Sequence, residues 1–168
     1  MSLSLGSVLN WVKPDPKKRY YELRDGDNKL ASLEWKNIGG PDAEATISDK
    51  RLTFKRKGFF FHQTSVMDAV TGSEIAIFKF HGVDKGALTF SDGQVMHWKF
   101  EGLMESRWYF TTINGGELLC FSVPTTKRSA VLRNAAIVEV LYETDDKLLT
   151  LLAVIGWYNI HNILSSNL

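Results

Sequence analysis

The sequence predicts a mainly β fold in which antiparallel strands wrap a barrel around one hydrophobic C-terminal helix. Two observations carry this expectation. From Tyr20 to about Tyr142, short runs rich in Phe, Trp, Tyr, Ile and Val alternate with stretches of Gly, Asn and Asp. After Lys147, the final stretch LLTLLAVIGWYNIHNILSSNL carries no charged side chain.

Residues 1–19 read as a lead-in. MSLSLGSVLNWVKPDPKKR has no basic residue before Lys13 and only a patchy apolar stretch, so it is a poor secretory signal. Its apolar residues Val8, Leu9, Trp11 and Val12 need cover, either from the barrel as a lid or from a partner.

Residues 20–142 read as strands. The turn signals RDGDN, IGGPD, SDK, RKG, VTGS, GVDKG, SDGQ and INGG recur at the spacing of about 8–12 residues typical of sandwiches and barrels. Their Gly, Asn and Asp residues supply the positive φ angles that tight hairpins demand. Alternation within the runs agrees. Met96, Trp98 and Phe100 oppose Val95, His97, Lys99 and Glu101, and Trp108 and Phe110 oppose Arg107 and Tyr109. Leu52 and Phe54 oppose Arg51, Thr53, Lys55 and Lys57, while Ala76, Phe78 and Phe80 oppose Ile75, Ile77 and Lys79. One face of each strand is apolar, as in an antiparallel sheet with a single core. The pattern holds about ten to twelve strands.

Residues 145–164 read as the helix. Thr144 is placed to cap it, with Asp145 and Asp146 in the first turn where the helix dipole favours acids. Leu148 to Trp157 is apolar on every side, the mark of a buried helix in protein or in lipid. Leu148 to Leu164 would rise about 26 Å, just short of a bilayer core of about 30 Å. Asn159, His161 and Asn162 interrupt the apolar run, and no Lys or Arg follows as an anchor. Beyond about eight strands a barrel leaves an axial hole that strand side chains do not fill. The expected role is therefore a plug; a membrane tail and a partner-docking helix are the alternatives.

A length of 168 residues suits a single domain, 1–168, with a real core. The net charge of +1 gives no global pull toward nucleic acid, and the aromatic residues fall on core-facing sides, so no nucleic-acid partner is expected. A lone cysteine, Cys120, excludes an internal disulfide and suits a reducing, cytoplasmic setting. It reads as a buried, unreactive thiol. His62, His81, His97 and His161 are scattered, with no metal-binding spacing, and no catalytic signature is present. No cofactor, no metal and no enzymatic activity are expected. His161 reads as a polar residue near one mouth of the barrel.

Three stretches resemble the tubby-like superfamily, of the phospholipid scramblase and LURP-one-related type. YELRDGDNKLASLEWKN is similar to an opening hairpin turned at Asp25-Gly26. The next strands look like Arg51–Lys57, Gly58, Phe59–Phe61 and the D-x-x-T-G segment Asp68–Gly72, and DDKLLTLLAVIGWYNIHNIL resembles the closing helix. The resemblance implies a closed barrel of about twelve strands around a central C-terminal helix. Where scramblases carry an acidic calcium-binding segment, this chain has only Glu143, Asp145 and Asp146.

The best candidate site is KRLTFKRK, with Lys50, Arg51, Lys55, Arg56 and Lys57. Alternation places Arg51, Lys55 and Lys57 on the solvent face, where cations could meet anionic phospholipid headgroups or only discourage edge pairing. Lys17, Lys18 and Arg19 form a second cluster, either a charged entry loop or an extension of the same face. The expected function is a non-enzymatic binding module, peripheral at a membrane, for anionic phospholipid or a membrane-associated protein. A protein-interaction domain and a small-ligand carrier or enzyme with a pocket in the barrel are the alternatives.

Overall fold

In the computed structural model, residues 2–37, 40–57, 63–82, 84–102, 105–123 and 134–166 are described. They form β1 (Val8–Val12), β2 (Tyr20–Asp25), β3 (Asn28–Trp35), β4 (Ala43–Ile47), β5 (Lys50–Lys57) and β6 (Gln63–Asp68). The chain continues through β7 (Glu74–Phe80), β8 (Lys85–Phe90), β9 (Val95–Glu101), β10 (Ser106–Thr111), β11 (Glu117–Val123) and β12 (Asn134–Val140) to one helix, α1 (Asp146–Ser166). Every strand pairs with its sequence neighbours, and β12 returns to pair with β1, closing a twelve-strand antiparallel barrel.

The lead-in departs from expectation. It contains β1, whose Leu9 and Trp11 are fully buried, so it is neither a lid nor a free arm. Without β1, the barrel would present unpaired edges on β2 and β12. Alternation alone missed it because five residues hold only two inward positions.

Inward residues follow the period of two. Tyr21 and Leu23, Leu33 and Trp35, Leu52 and Phe54, Met96 and Trp98, and Leu119 and Phe121 are all buried. Turns use the residues they need. At the β6–β7 hairpin the Asp68 carboxylate accepts the N–H groups of Val70 and Thr71 at 2.8 and 3.0 Å, and Gly72 takes φ +72°. These backbone bonds hold the Asp68 carboxyl below its usual range. The D-x-x-T-G segment is thus a turn device.

The helix runs along the barrel, and the plug is what the structure contains. α1 is long and apolar enough to cross a membrane, yet 61% of that stretch is buried inside the protein. Leu149 to Ile160 rises about 18 Å, which matches strands of five to eight residues at about 3.3 Å each. The helix starts one residue later than expected, with Asp145 rather than Thr144 before its first turn. Asp146 accepts the N–H of Leu3 at 2.9 Å and so ties the N-terminus to the helix. The polar interruption at Asn159 does not end the helix: Asn159 is 1% exposed and the helix continues to Ser166.

Plug and wall approach closely at Gly156. A Cβ there would lie 2.2 Å from the Phe121 ring, which is held in turn by Trp98 and Phe110. Alanine in place of this glycine gains about 1 kcal/mol of helix propensity. Forcing a methyl group against a packed ring costs about 1–3 kcal/mol, and here the ring has little room to yield. Gly156→Ala is therefore expected to lower the melting temperature by a few degrees; an increase in a thermal melt would show that the wall can move.

Candidate functional site

The strand β5 separates the five basic residues of the sequence cluster. Lys50 stands at the β4–β5 hairpin, at the mouth where α1 begins. Arg51 is exposed but lies 3.7 Å from Glu44, which also meets Lys36 at 3.5 Å. Arg56 lies on the inward face opposite Thr64, close enough to Tyr158 to act on its hydroxyl electrostatically. Lys55 and Lys57 remain exposed on the outer face, toward the mouth where α1 ends. The aromatic run Phe59–Phe61, together with Gly58 and His62, lies outside the described residues.

Register extends this outer face beyond β5. Lys57 pairs across with Gln63, Gln63 with Lys79, Lys79 with Ala87, and Ala87 with His97. In the adjacent row Lys85 lies directly opposite Lys99. Four strand steps of about 4.8 Å put these cations within about 19 Å of one another around the wall. Like charges directly opposite on a sheet are destabilising, so Lys85 and Lys99 cost stability where they stand. Only Lys99 has a carboxylate in reach, Glu101 at 3.1 Å; Lys55, Lys57, Lys79 and Lys85 make no ion pair among the described residues.

The same end of the barrel gathers further cations. The β1–β2 loop carries Lys13, Lys17, Lys18 and Arg19, so both sequence clusters reach one mouth. Arg19 is largely spent on structure: it lies 5.5 Å from the Trp35 ring and donates to the carbonyls of Asn37 and Gly40 at 2.6 and 3.3 Å. The opposite mouth is acidic, with Asp49, Asp68, Asp92, Glu117, Glu143 and Asp145 in hairpins or beside the helix start. A net charge of +1 therefore conceals two ends of opposite sign.

His161 sits inside the basic mouth. Its ring lies 4.0 Å from that of Trp35 and 5.3 Å from that of Tyr21. Burial, followed by the charges of Arg19 and Lys13, pushes its pKa down to about 3. Next to it, Trp35 donates its indole N–H to Asn162 at 3.0 Å, and Tyr158 donates its hydroxyl to the Pro41 carbonyl at 2.6 Å. Burial raises the phenols of Tyr21 and Tyr158 to about 12. The mouth is a packed aromatic seal under a positive potential.

Other side chains considered from the sequence lie elsewhere. Cys120 is buried against the outer side of β11, and burial raises its thiol pKa. His97 and Glu139 are exposed, each alternating with inward-facing neighbours on its strand. Among the described residues no His, Cys, Asp and Glu side chains group to hold a metal. Lys79, Lys85 and Lys99 belong to no basic cluster in the sequence. Alternation puts Lys79 and Lys99 on outer faces, but only the strand register places them beside Lys57.

Compared with models of known families, with curated proteins and with solved structures, the chain matches none.

The position of His161 makes stability depend on pH. In the unfolded chain it titrates near 6.5, whereas the folded chain keeps it neutral down to about 3. Its contribution is complete above about pH 6.5 and is lost as pH falls toward 3, with about 2 kcal/mol gone by pH 5. Urea unfolding at pH 7 and pH 5 should show that His161→Phe removes about this much of the wild-type pH dependence.

Proposed function

We propose that this barrel is a non-enzymatic binding module that meets anionic phospholipid with its basic end, as a cytoplasmic protein peripheral to a membrane. The observation that carries the reading is the convergence of Lys55, Lys57, Lys79 and Lys85 on one outer face without ion-pair partners among the described residues. A folded chain that leaves like charges together gives up stability, which a multiply anionic surface would return. Each lysine near such a surface contributes about 1 kcal/mol, so four give a dissociation constant near the millimolar range. Binding of that strength is reversible and steeply salt-dependent. The resemblance of the opening hairpin, the basic strand and the closing helix to the tubby-like superfamily supports the same reading.

A second reading, a protein-interaction domain, draws on the opposite mouth. Leu5, Val70, Ile113 and Tyr142 are large apolar residues there with 61–79% of their surface exposed.

Co-sedimentation with vesicles tests the first reading. Wild type should pellet with vesicles containing an anionic phospholipid and stay behind with neutral ones. Lys57→Glu/Lys79→Glu should abolish pelleting, whereas Arg51→Glu, at a position already paired with Glu44, should reduce it little. Equal pelleting of all three proteins, or of none, would overturn the assignment.

A further inference from the structure

A cavity of about 200 Å³ opens at the acidic mouth, between the β4–β5 hairpin, the start of β7 and the first turns of α1. Its inner wall is apolar, made by Ile47, Leu52, Ile75 and Leu151. Ile75 reaches it through an irregularity in the β6–β7 register: Val66 pairs with Ala76 and Met67 with Glu74, leaving Ile75 as an extra residue. Simple alternation would send Ile75 outward; the bulge instead packs it against the core. The outer rim carries two cations, Lys50 and Lys147; neither has a carboxylate within 4 Å among the described residues, and Lys50 acts electrostatically on the Asp68 carboxylate.

Two local features run against stability. Ser48 is a non-glycine residue with positive φ, +54°, in the turn that presents Lys50. Lys147 lies in the first turn of α1, where the helix dipole disfavours a cation. One acid, Asp49, also lies on the rim. The nearby carboxylates of Asp68 and Asp146 accept backbone N–H groups.

We infer that this cavity binds a small apolar carboxylate, its chain against Ile47, Leu52, Ile75 and Leu151 and its head group between Lys50 and Lys147. An apolar cavity of about 150 Å³ accepts benzene, so this one suits a chain of about six to eight carbons. The site is separate from the basic end, and its ligand is a small molecule in solution.

The full-length chain should be titrated with octanoate, 1-octanol and octylamine while backbone amide shifts are followed by NMR. Octanoate should bind saturably, with shifts centred on the Ile47–Leu52 hairpin and Leu151. It should bind about tenfold more tightly than octanol, as two exposed ion pairs would give, and octylamine should bind more weakly still. Lys50→Met/Lys147→Met changes only exposed side chains; it should keep octanol binding and lose the preference for the acid. Ile75→Trp should block all three ligands, and the lysine variant decides the matter should the tryptophan variant not fold. Lack of saturable octanoate binding would overturn the inference, as would equal affinity for acid and alcohol in the wild type. Shifts confined to Lys57, Lys79 and Lys85 would also overturn it, because they would place the anion on the basic face.

Discussion

Twelve antiparallel strands enclose more volume than their inward side chains can fill, and α1 supplies the missing atoms. The rest of the architecture follows from that constraint. A helix inside a barrel must be apolar on every side, and Leu149 to Ile160 meets this condition almost without a break. The wall must also adapt to the helix. Gly156 lets the Phe121 ring reach the helix backbone, and Trp11 and Tyr21 close on Trp157 at centroid distances of 6.3 and 5.4 Å. Aromatic residues dominate because a few large rigid side chains fill a wide lumen at a low entropy cost. The fit is not without cost, since the buried indole N–H groups of Trp11 and Trp157 find no hydrogen-bond acceptor among the described residues. Each such unpaired donor costs about 1–3 kcal/mol.

The helix also orients the electrostatics. Its N-terminus lies at the mouth where hairpin carboxylates collect, and its C-terminus at the mouth where the lysines collect, so the barrel charges complement the helix dipole at both ends. The same arrangement makes the two mouths chemically distinct. The basic end has an aromatic seal with a neutral His161, and cations spread outward along the wall. The acidic end has exposed apolar hairpin tips and a cavity rimmed by two lysines. The two proposed binding functions would act at separate places, the anionic surface at the basic end and the small anion at the cavity.

How much of this was legible in the sequence varied with how local each feature is. Alternation within β5, β9 and β10 read correctly because a period of two requires only neighbouring residues. The plug helix was legible because an apolar segment without a polar face has few places to go. β1 is not legible: two inward residues in a five-residue strand make no periodic signal, and one of its pairing partners, β12, lies at the other end of the barrel segment. Alternation sends Ile75 to the outer face, but a bulge shifts the phase by one residue and turns it inward. Arg51 reads as a free cation in the sequence, whereas the β4–β5 pairing sets it 3.7 Å from Glu44.

The sequence by itself determined that a long run of strands must close around an apolar C-terminal helix, and it marked β5 as the most basic strand. Periodicity and turn chemistry act within a few residues, so composition and order suffice to read them. Only the tertiary structure decided which cations share a surface. Lys57, Lys79, Lys85 and Lys99 come from four different strands and meet through hydrogen-bond register, a property of pairs of strands that no single strand encodes. The cavity at the acidic mouth is of the same kind, because it exists only where a hairpin, a bulge and the first turns of the helix fail to fill the space between them.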